Sequence, residues 1–117
     1  MITFYDRHGV PVAYSEDLET IYLFSGKPVA YFQNDSVYAF YGRHLGWFLN
    51  GWIRDHNGDA VYFTEIAQGG PLKPLKQLKP LKSLRLLRPL KSLRALKPLK
   101  PIKSFNWSSL SGKDFFQ

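Results

Sequence analysis

The sequence predicts an all-β fold: a pseudo-fourfold shallow barrel or ring of four β-hairpin repeats of about 16 residues, with a C-terminal polyproline II-like extension. Three observations predict it. Glycines recur at 9, 26, 42 and 58, spaced by 17, 16 and 16, inside β-branched and aromatic runs. Charge and aromatic content then divide the chain in two. Finally, an unbroken three-residue period starts at Pro71.

The repeats come first. The words Gly9-Val10-Pro11-Val12-Ala13-Tyr14, Gly26-Lys27-Pro28-Val29-Ala30-Tyr31, Gly42-Arg43-His44-Leu45-Gly46-Trp47 and Gly58-Asp59-Ala60-Val61-Tyr62-Phe63 share a pattern. An aliphatic residue stands three after each glycine and an aromatic five after it. Upstream lie Ile2-Thr3-Phe4, Ile21-Tyr22-Leu23-Phe24, Val37-Tyr38-Ala39-Phe40 and Trp52-Ile53, which are strand-like in composition and length. Each unit therefore reads strand, glycine turn, strand, with Asn57-Gly58 the strongest hairpin cue. Ser15-Glu16-Asp17, Gln33-Asn34-Asp35 and Asn50-Gly51 link the units. Pro11 and Pro28 occupy one repeat position, at a strand start or edge where no ladder N–H is needed. Single hairpins cannot bury such aromatic faces alone, but four around a common axis can.

These residues resemble the bacterial four-fold β-flower family. The resemblance rests on the G-x-P-V-A-Y words, on Tyr41-Gly42-Arg43-His44-Leu45-Gly46-Trp47-Phe48 and on Gly51-Trp52-Ile53-Arg54-Asp55. The Lys-Pro-Leu tail and Trp107-Ser108-Ser109-Leu110-Ser111 extend it over essentially the whole chain. It implies four hairpin petals in a shallow barrel, with no established activity. The resemblance of that fold to Tubby-type lipid-binding domains implies a role at a membrane surface as an expectation.

Charge marks the boundaries. The 117 residues carry a net charge of +7. Residues 1–68 form the head, 69–70 a Gly-Gly joint, 71–103 a basic tail and 104–117 an aromatic and serine-rich end. Through residue 70, Arg7, Lys27, Arg43 and Arg54 face eight carboxylates, a net of −4. Residues 71–103 hold eleven cations and no acid. Fifteen of nineteen aromatics precede residue 71, and none lies in the tail.

In the tail, Leu72, Leu75, Leu78, Leu81, Leu84, Leu87, Leu90, Leu93, Leu96, Leu99 and Ile102 are each followed by a cation. The cations are Lys73, Lys76, Lys79, Lys82, Arg85, Arg88, Lys91, Arg94, Lys97, Lys100 and Lys103. The third slot holds proline or a small, polar or aliphatic residue, and Pro71, Pro80, Pro89 and Pro98 add a nine-residue period. A helix would smear a period of three around its surface and be broken by the prolines. A strand would alternate the leucines between its faces. Polyproline II, with three residues per turn, aligns them in one stripe, and 33 residues would reach roughly 100 Å. Sharp bends are expected where proline is absent, around Ser83 to Arg88 and Ser92 to Lys97. A disordered linker is the competing expectation, but so long a leucine stripe exceeds the apolar patch a monomer tolerates. It is therefore expected to meet the head, another copy or lipid.

Catalytic constellations are thin. The absence of cysteine excludes disulfides and thiolate sites, and no P-loop, GxSxG, HExxH or Rossmann pattern occurs. His8, His44 and His56 lie near turns and would make a Zn²⁺ set only by converging at one rim with Asp6 and Asp55; no metal or cofactor is expected. Asp55-His56-Asn57-Gly58-Asp59 lacks calcium-loop spacing. Glu16, Asp17 and Glu19 read as a solvated loop, and Ser108, Ser109 and Ser111 as caps or turns. Tyr14, Tyr31, Trp47 and Phe63, equivalent by repeat, are expected in the core, with a ligand-stacking ring the sharper alternative.

The expected function is a non-enzymatic binding or assembly module at an anionic membrane surface. Self-association through the tails comes second, and non-specific nucleic-acid binding third because the tail has no aromatics for base stacking. No small-molecule substrate is inferred. With no signal-like start and no apolar run near the ~20 residues of a membrane span, the expected location is cytoplasmic or peripheral at a membrane.

Overall fold

A computed structural model describes residues 1–110 and 112–117. Eight strands form it: β1 (Ile2–Tyr5), β2 (Pro11–Ser15), β3 (Thr20–Leu23), β4 (Pro28–Gln33), β5 (Ser36–Tyr38), β6 (His44–Leu49), β7 (Trp52–Arg54) and β8 (Ala60–Phe63). Consecutive strands pair antiparallel, and β1 returns to β8 to close the barrel. A short 3₁₀ turn spans Asp114–Phe116.

The four repeats fold alike in detail. In each glycine turn a backbone amide bonds the carbonyl four residues on: Asp6 to Val10, Leu23 to Lys27, Ala39 to Arg43 and Asp55 to Asp59, at 2.9–3.0 Å. Each hairpin also shifts register at the same place, between Phe4 and Tyr5, Ile21 and Tyr22, Val37 and Tyr38, and Ile53 and Arg54. Such bulges add twist, which helps very short strands to close a barrel.

Alternation along the strands sends one set of side chains inward. Phe4, Ile21, Val37 and Ile53 pair across their hairpins with Ala13, Ala30, Gly46 and Tyr62. Three petals thus match a large residue with a small one, which suits a narrow barrel. The fourth has Tyr62, and the chain end accommodates it. Phe116 stacks on Tyr62 at 5.5 Å, and Phe115 meets it edge-on at 5.8 Å. Both phenylalanines join the central cluster. A Cβ on Gly46 would lie 3.2 Å from Phe115 Cζ and 2.0 Å from the Arg54 carbonyl oxygen, so β6 needs glycine there. The end of the chain, separated from the head in sequence, is part of the barrel core.

The other set faces outward in three aromatic clusters: Tyr5, Trp52 and Phe63; Tyr14, Tyr22 and Phe24; Tyr31, Tyr38 and Phe40. All are buried: residues 71–103 run over them as a belt with neither helix nor strand, and Gly70 and Trp107 also cover the first cluster. The belt passes the petal turns in order. Extra Cβ atoms on Gly9, Gly26, Gly42 and Gly58 would collide with the carbonyls of Leu75, Leu84, Leu93 and Ile102, at 1.9–2.3 Å. These contacts are nine residues apart on the belt and 16 or 17 on the head. Belt and barrel together make a disc of 36 × 36 × 22 Å.

Candidate functional site

The belt's three slots have separate tasks. Where the third slot has an N–H, that N–H bonds the head. Gln77, Leu86, Ala95 and Ser104 donate to the carbonyls of Gly9, Gly26, Gly42 and Gly58 at 2.8–3.1 Å. Ser83 and Ser92 donate to Phe24 and Phe40, both at 2.8 Å. The positions equivalent to these serines in the outer two petals are Pro74 and Pro101, and Pro71, Pro80, Pro89 and Pro98 fill the remaining turn of each nonad. Proline therefore occupies the slots that donate nothing to the head. Where proline is missing around Ser83 and Ser92, the chain holds its head hydrogen bonds.

Five second-slot cations face the outer aromatics. Lys76, Lys82, Arg85, Lys91 and Arg94 lie over the rings of Tyr5, Tyr14, Tyr22, Tyr31 and Tyr38 at 4.4–5.9 Å. Each such contact contributes about 0.5–1 kcal/mol at an exposed edge. Three belt cations also reach carboxylates: Lys76 to Glu65 at 3.8 Å, Lys82 to Glu16 at 2.5 Å and Lys100 to Asp35 at 2.5 Å. Their partners Lys82 and Lys100 hold Glu16 and Asp35 below the usual carboxylate range. The other eight tail cations have no carboxylate partner among the described residues.

Among the described residues, the first-slot side chains stand clear of the head. The ten leucines and Ile102 are 91–96% exposed, although the backbone that carries them is pinned to the head. The leucine stripe does not pack on its own head; it forms a fixed apolar ring around the disc.

Arg54 fastens both ends of the belt. It stands at the repeat position of Tyr5, Tyr22 and Tyr38, is only 2% exposed, and packs 5.8 Å from the Trp52 ring. Its guanidinium donates to Gly58 at 2.7 Å, to Ser104 at 2.8 Å and to Gly69 at 3.2 Å. Gly69 lies just before the belt and Ser104 just after it. Burial pulls the Arg54 pKa down while Asp59 and Asp55 oppose, yet arginine stays charged. Trp52 donates from Nε1 to Gln68 at 2.9 Å and lies so close to Gly70 that a Cβ there would sit 2.5 Å from its ring. Beyond the belt, Trp107 packs on Trp52 and Phe63, and the Ala60 backbone brackets it through Asn106 and Ser108.

Two histidines come together and one does not. His44 Nδ1 lies 2.9 Å from His56 Nε2, and His44 Nε2 lies 3.1 Å from Ser36 Oγ. Tyr38 and Trp47 pack edge-on against the His44 ring. Burial above all, then His56 and Lys97, lowers the His44 pKa to about 4, with Asp35 opposing. His8 is exposed and is held by its backbone on Asp6. Asp6 and Asp55 are taken up in their own turns, Asp55 also accepting from Ser108 Oγ at 2.6 Å. Among the described residues no group of three or more His, Cys, Asp or Glu could hold a metal. Ser36 is 1% exposed.

The sequence-singled aromatics Tyr14, Tyr31, Trp47 and Phe63 are each about 1% exposed, so none presents a ring to a free ligand. Ser108 is buried, Ser109 is exposed, and Ser111 lies outside the described residues. Sequence reasoning missed Arg54 and the tyrosines four residues before each glycine, although the repeat alignment carried that signal in Tyr5, Tyr22 and Tyr38. It also missed Phe115 and Phe116, for which no repeat gives a cue.

Among the described residues, no helix is long and apolar enough to cross a membrane. No curated protein and no solved structure matches the chain. A family model described as 4-fold beta flower protein matches residues 2–116. Eight short strands in four equivalent hairpins, closed into one antiparallel barrel, are the architecture that description names, and the chain belongs to the 4-fold beta flower protein family.

Proposed function

We propose that the protein is a non-enzymatic binding module that docks on an anionic membrane surface through its belt. The observation that carries this reading is the ring of eleven aliphatic side chains, 91–96% exposed and each followed by a cation. A fixed backbone has already lost the entropy that a free tail would lose on binding. Burying one leucine is worth about 1.5–3 kcal/mol, and a cation near an anionic bilayer adds about 1 kcal/mol. Three or four Leu-Lys units on one arc would therefore supply roughly 8–16 kcal/mol, of the order of the association cost. Eight tail cations without carboxylate partners favour an anionic lipid over a neutral one.

Self-association is the second reading, favoured by the same leucines and opposed by like charge wherever two belts meet. Nucleic acid fits less well, because Tyr14 and Tyr31 lie beneath the belt and cannot stack on bases. Flotation with neutral and anionic vesicles tests the proposal, with the triple variant Leu81→Gln, Leu90→Gln, Leu99→Gln as a partner measurement. Recovery should rise with anionic lipid and fall in the triple variant without loss of folding. Equal recovery on neutral and anionic vesicles would refute it. Sedimentation without lipid separates the second reading: a monomer sinks self-association.

A further inference from the structure

The belt meets different chemistry at different petals. Around the β2–β3 loop, Arg85 and Arg88 share a cleft with Asp17 and Glu19, two cations against two carboxylates. Around the β4–β5 loop the head offers Gln33 and Asn34 instead, and Asp35 is committed to Lys100 at 2.5 Å. The cleft formed there has a volume of about 580 Å³. Lys91, Arg94 and Lys97 line it from the belt and Gln33, Asn34 and Ser36 from the head; among the described residues no carboxylate lines it, and Asp35, between Asn34 and Ser36, is turned to Lys100.

Two of its three cations are held in place. Lys91 sits 4.4 Å from the Tyr31 ring centre and Arg94 5.9 Å from that of Tyr38. The belt between them is fixed by Ser92 to Phe40 and Ala95 to Gly42, and the Tyr38 hydroxyl donates to Ala95 at 3.0 Å. Lys97 has no carboxylate partner among the described residues. Its charge is nevertheless felt nearby, where it lowers both Asp35 and His44. Three like charges around one cleft repel each other, and an anion between them relieves that repulsion.

We propose that this cleft binds a phosphate-bearing anion, a phosphomonoester or diphosphate group. Arg94 offers a planar fork, Lys91 and Lys97 offer point charges, and the amides of Gln33 and Asn34 offer neutral donors. The group belongs either to a soluble compound or to a lipid headgroup. The headgroup source rests on the membrane reading above; the soluble source does not.

The test titrates the full chain with inorganic pyrophosphate by calorimetry, and floats it with phosphatidylcholine vesicles containing phosphatidic acid or phosphatidylglycerol. The informative variant is Gln33→Glu with Asn34→Asp, which gives this cleft the acidic lining of its neighbour. Asn34 has a φ of 55°, which aspartate tolerates, and Lys97→Gln is a second variant that spares the loop. Lys27→Gln, an exposed head cation outside both the belt and the cleft, is the control. Pyrophosphate should bind near one equivalent, with affinity about tenfold weaker (~1.4 kcal/mol) in the cleft variants and little changed in the control. Site-specific pyrophosphate binding without vesicle binding supports the cleft with a soluble ligand, while the membrane reading fails. Phosphatidic acid recovery lost in the cleft variants, with no pyrophosphate response, supports the headgroup. No response to either ligand, or equal loss in the control and the cleft variants, overturns the proposal. Equal flotation with both lipids, untouched by the cleft variants, overturns it and leaves the membrane reading standing.

Discussion

Replacing Ala95 by proline tests whether the belt is held through its third slot. The Ala95 amide donates to the Gly42 carbonyl at 2.8 Å, and proline removes that donor. The lost hydrogen bond is worth about 1 kcal/mol net, and leaving the Gly42 carbonyl unpaired beneath the belt adds about 1–2 kcal/mol. Proline returns about 0.4–1 kcal/mol by restricting the unfolded chain. The balance is a loss of about 1–2.6 kcal/mol, or a fall in Tm of roughly 3–13 °C for a domain of this size. Pro98→Ala is the matched comparison, because its slot never had a donor; it should cost less than ~1 kcal/mol, through the unfolded state alone. Thermal unfolding followed by near-ultraviolet circular dichroism reads the tyrosines beneath the belt, and hydrogen exchange reads the Ser92 amide. Melting of Ala95→Pro within a degree of the parent, or an equal loss in Pro98→Ala, would refute the reasoning.

Other perturbations reach different parts of the same construction. Arg54→Met breaks the three bonds that join Gly58, Ser104 and Gly69; it should cost about 3 kcal/mol in urea unfolding and speed exchange at both belt ends. A loss below about 1 kcal/mol would deny Arg54 its role. Among the described residues the buried Tyr31 hydroxyl has no hydrogen-bond partner, so Tyr31→Phe should be neutral or stabilising by up to ~1 kcal/mol, and a clear destabilisation would argue against that environment. His44 is held neutral, with its pKa lowered from 6.5 to about 4. Its contribution is present above pH 6.5 and is lost as pH falls through 6.5 towards 4, because the unfolded chain takes up the proton first. That loss is at most about 3 kcal/mol, and a stability profile equally steep in His44→Gln would show that other groups cause it.

The barrel was legible because its repeat places glycine where the chain must turn and the belt must pass. Gly26 has a φ of 95° and Gly42 of 103°, and the belt carbonyls of Leu84 and Leu93 lie where a side chain would begin. The nine-residue proline period was legible too, but its meaning required the partner: Ser83 and Ala95 stand out only when the carbonyls of Phe24 and Gly42 are seen opposite them. The leucines show the limit of pattern reading. Hydrophobicity says that a stripe should be covered, but the head's binding edge consists of carbonyls and tyrosine faces, which suit N–H groups and cations. Leucine is left outside. Phe115 and Phe116 were illegible for another reason: a plug fits one cavity, and the large Tyr62 opposite the space above Gly46 is a fact of assembly rather than of period.

The nine-residue step of the belt and the 16-residue step of the barrel tie the evolution of one to the other. Duplicating a petal alone would add a turn glycine with no belt carbonyl against it and an uncovered aromatic cluster. Duplicating a nonad alone would leave slack between Gly69 and Ser104, which Arg54 now holds together. A viable change in petal number requires two coordinated insertions, one before the joint and one after it. Two steps of different length, kept in phase around a circle, thereby act as a gauge that fixes how many petals this chain can have.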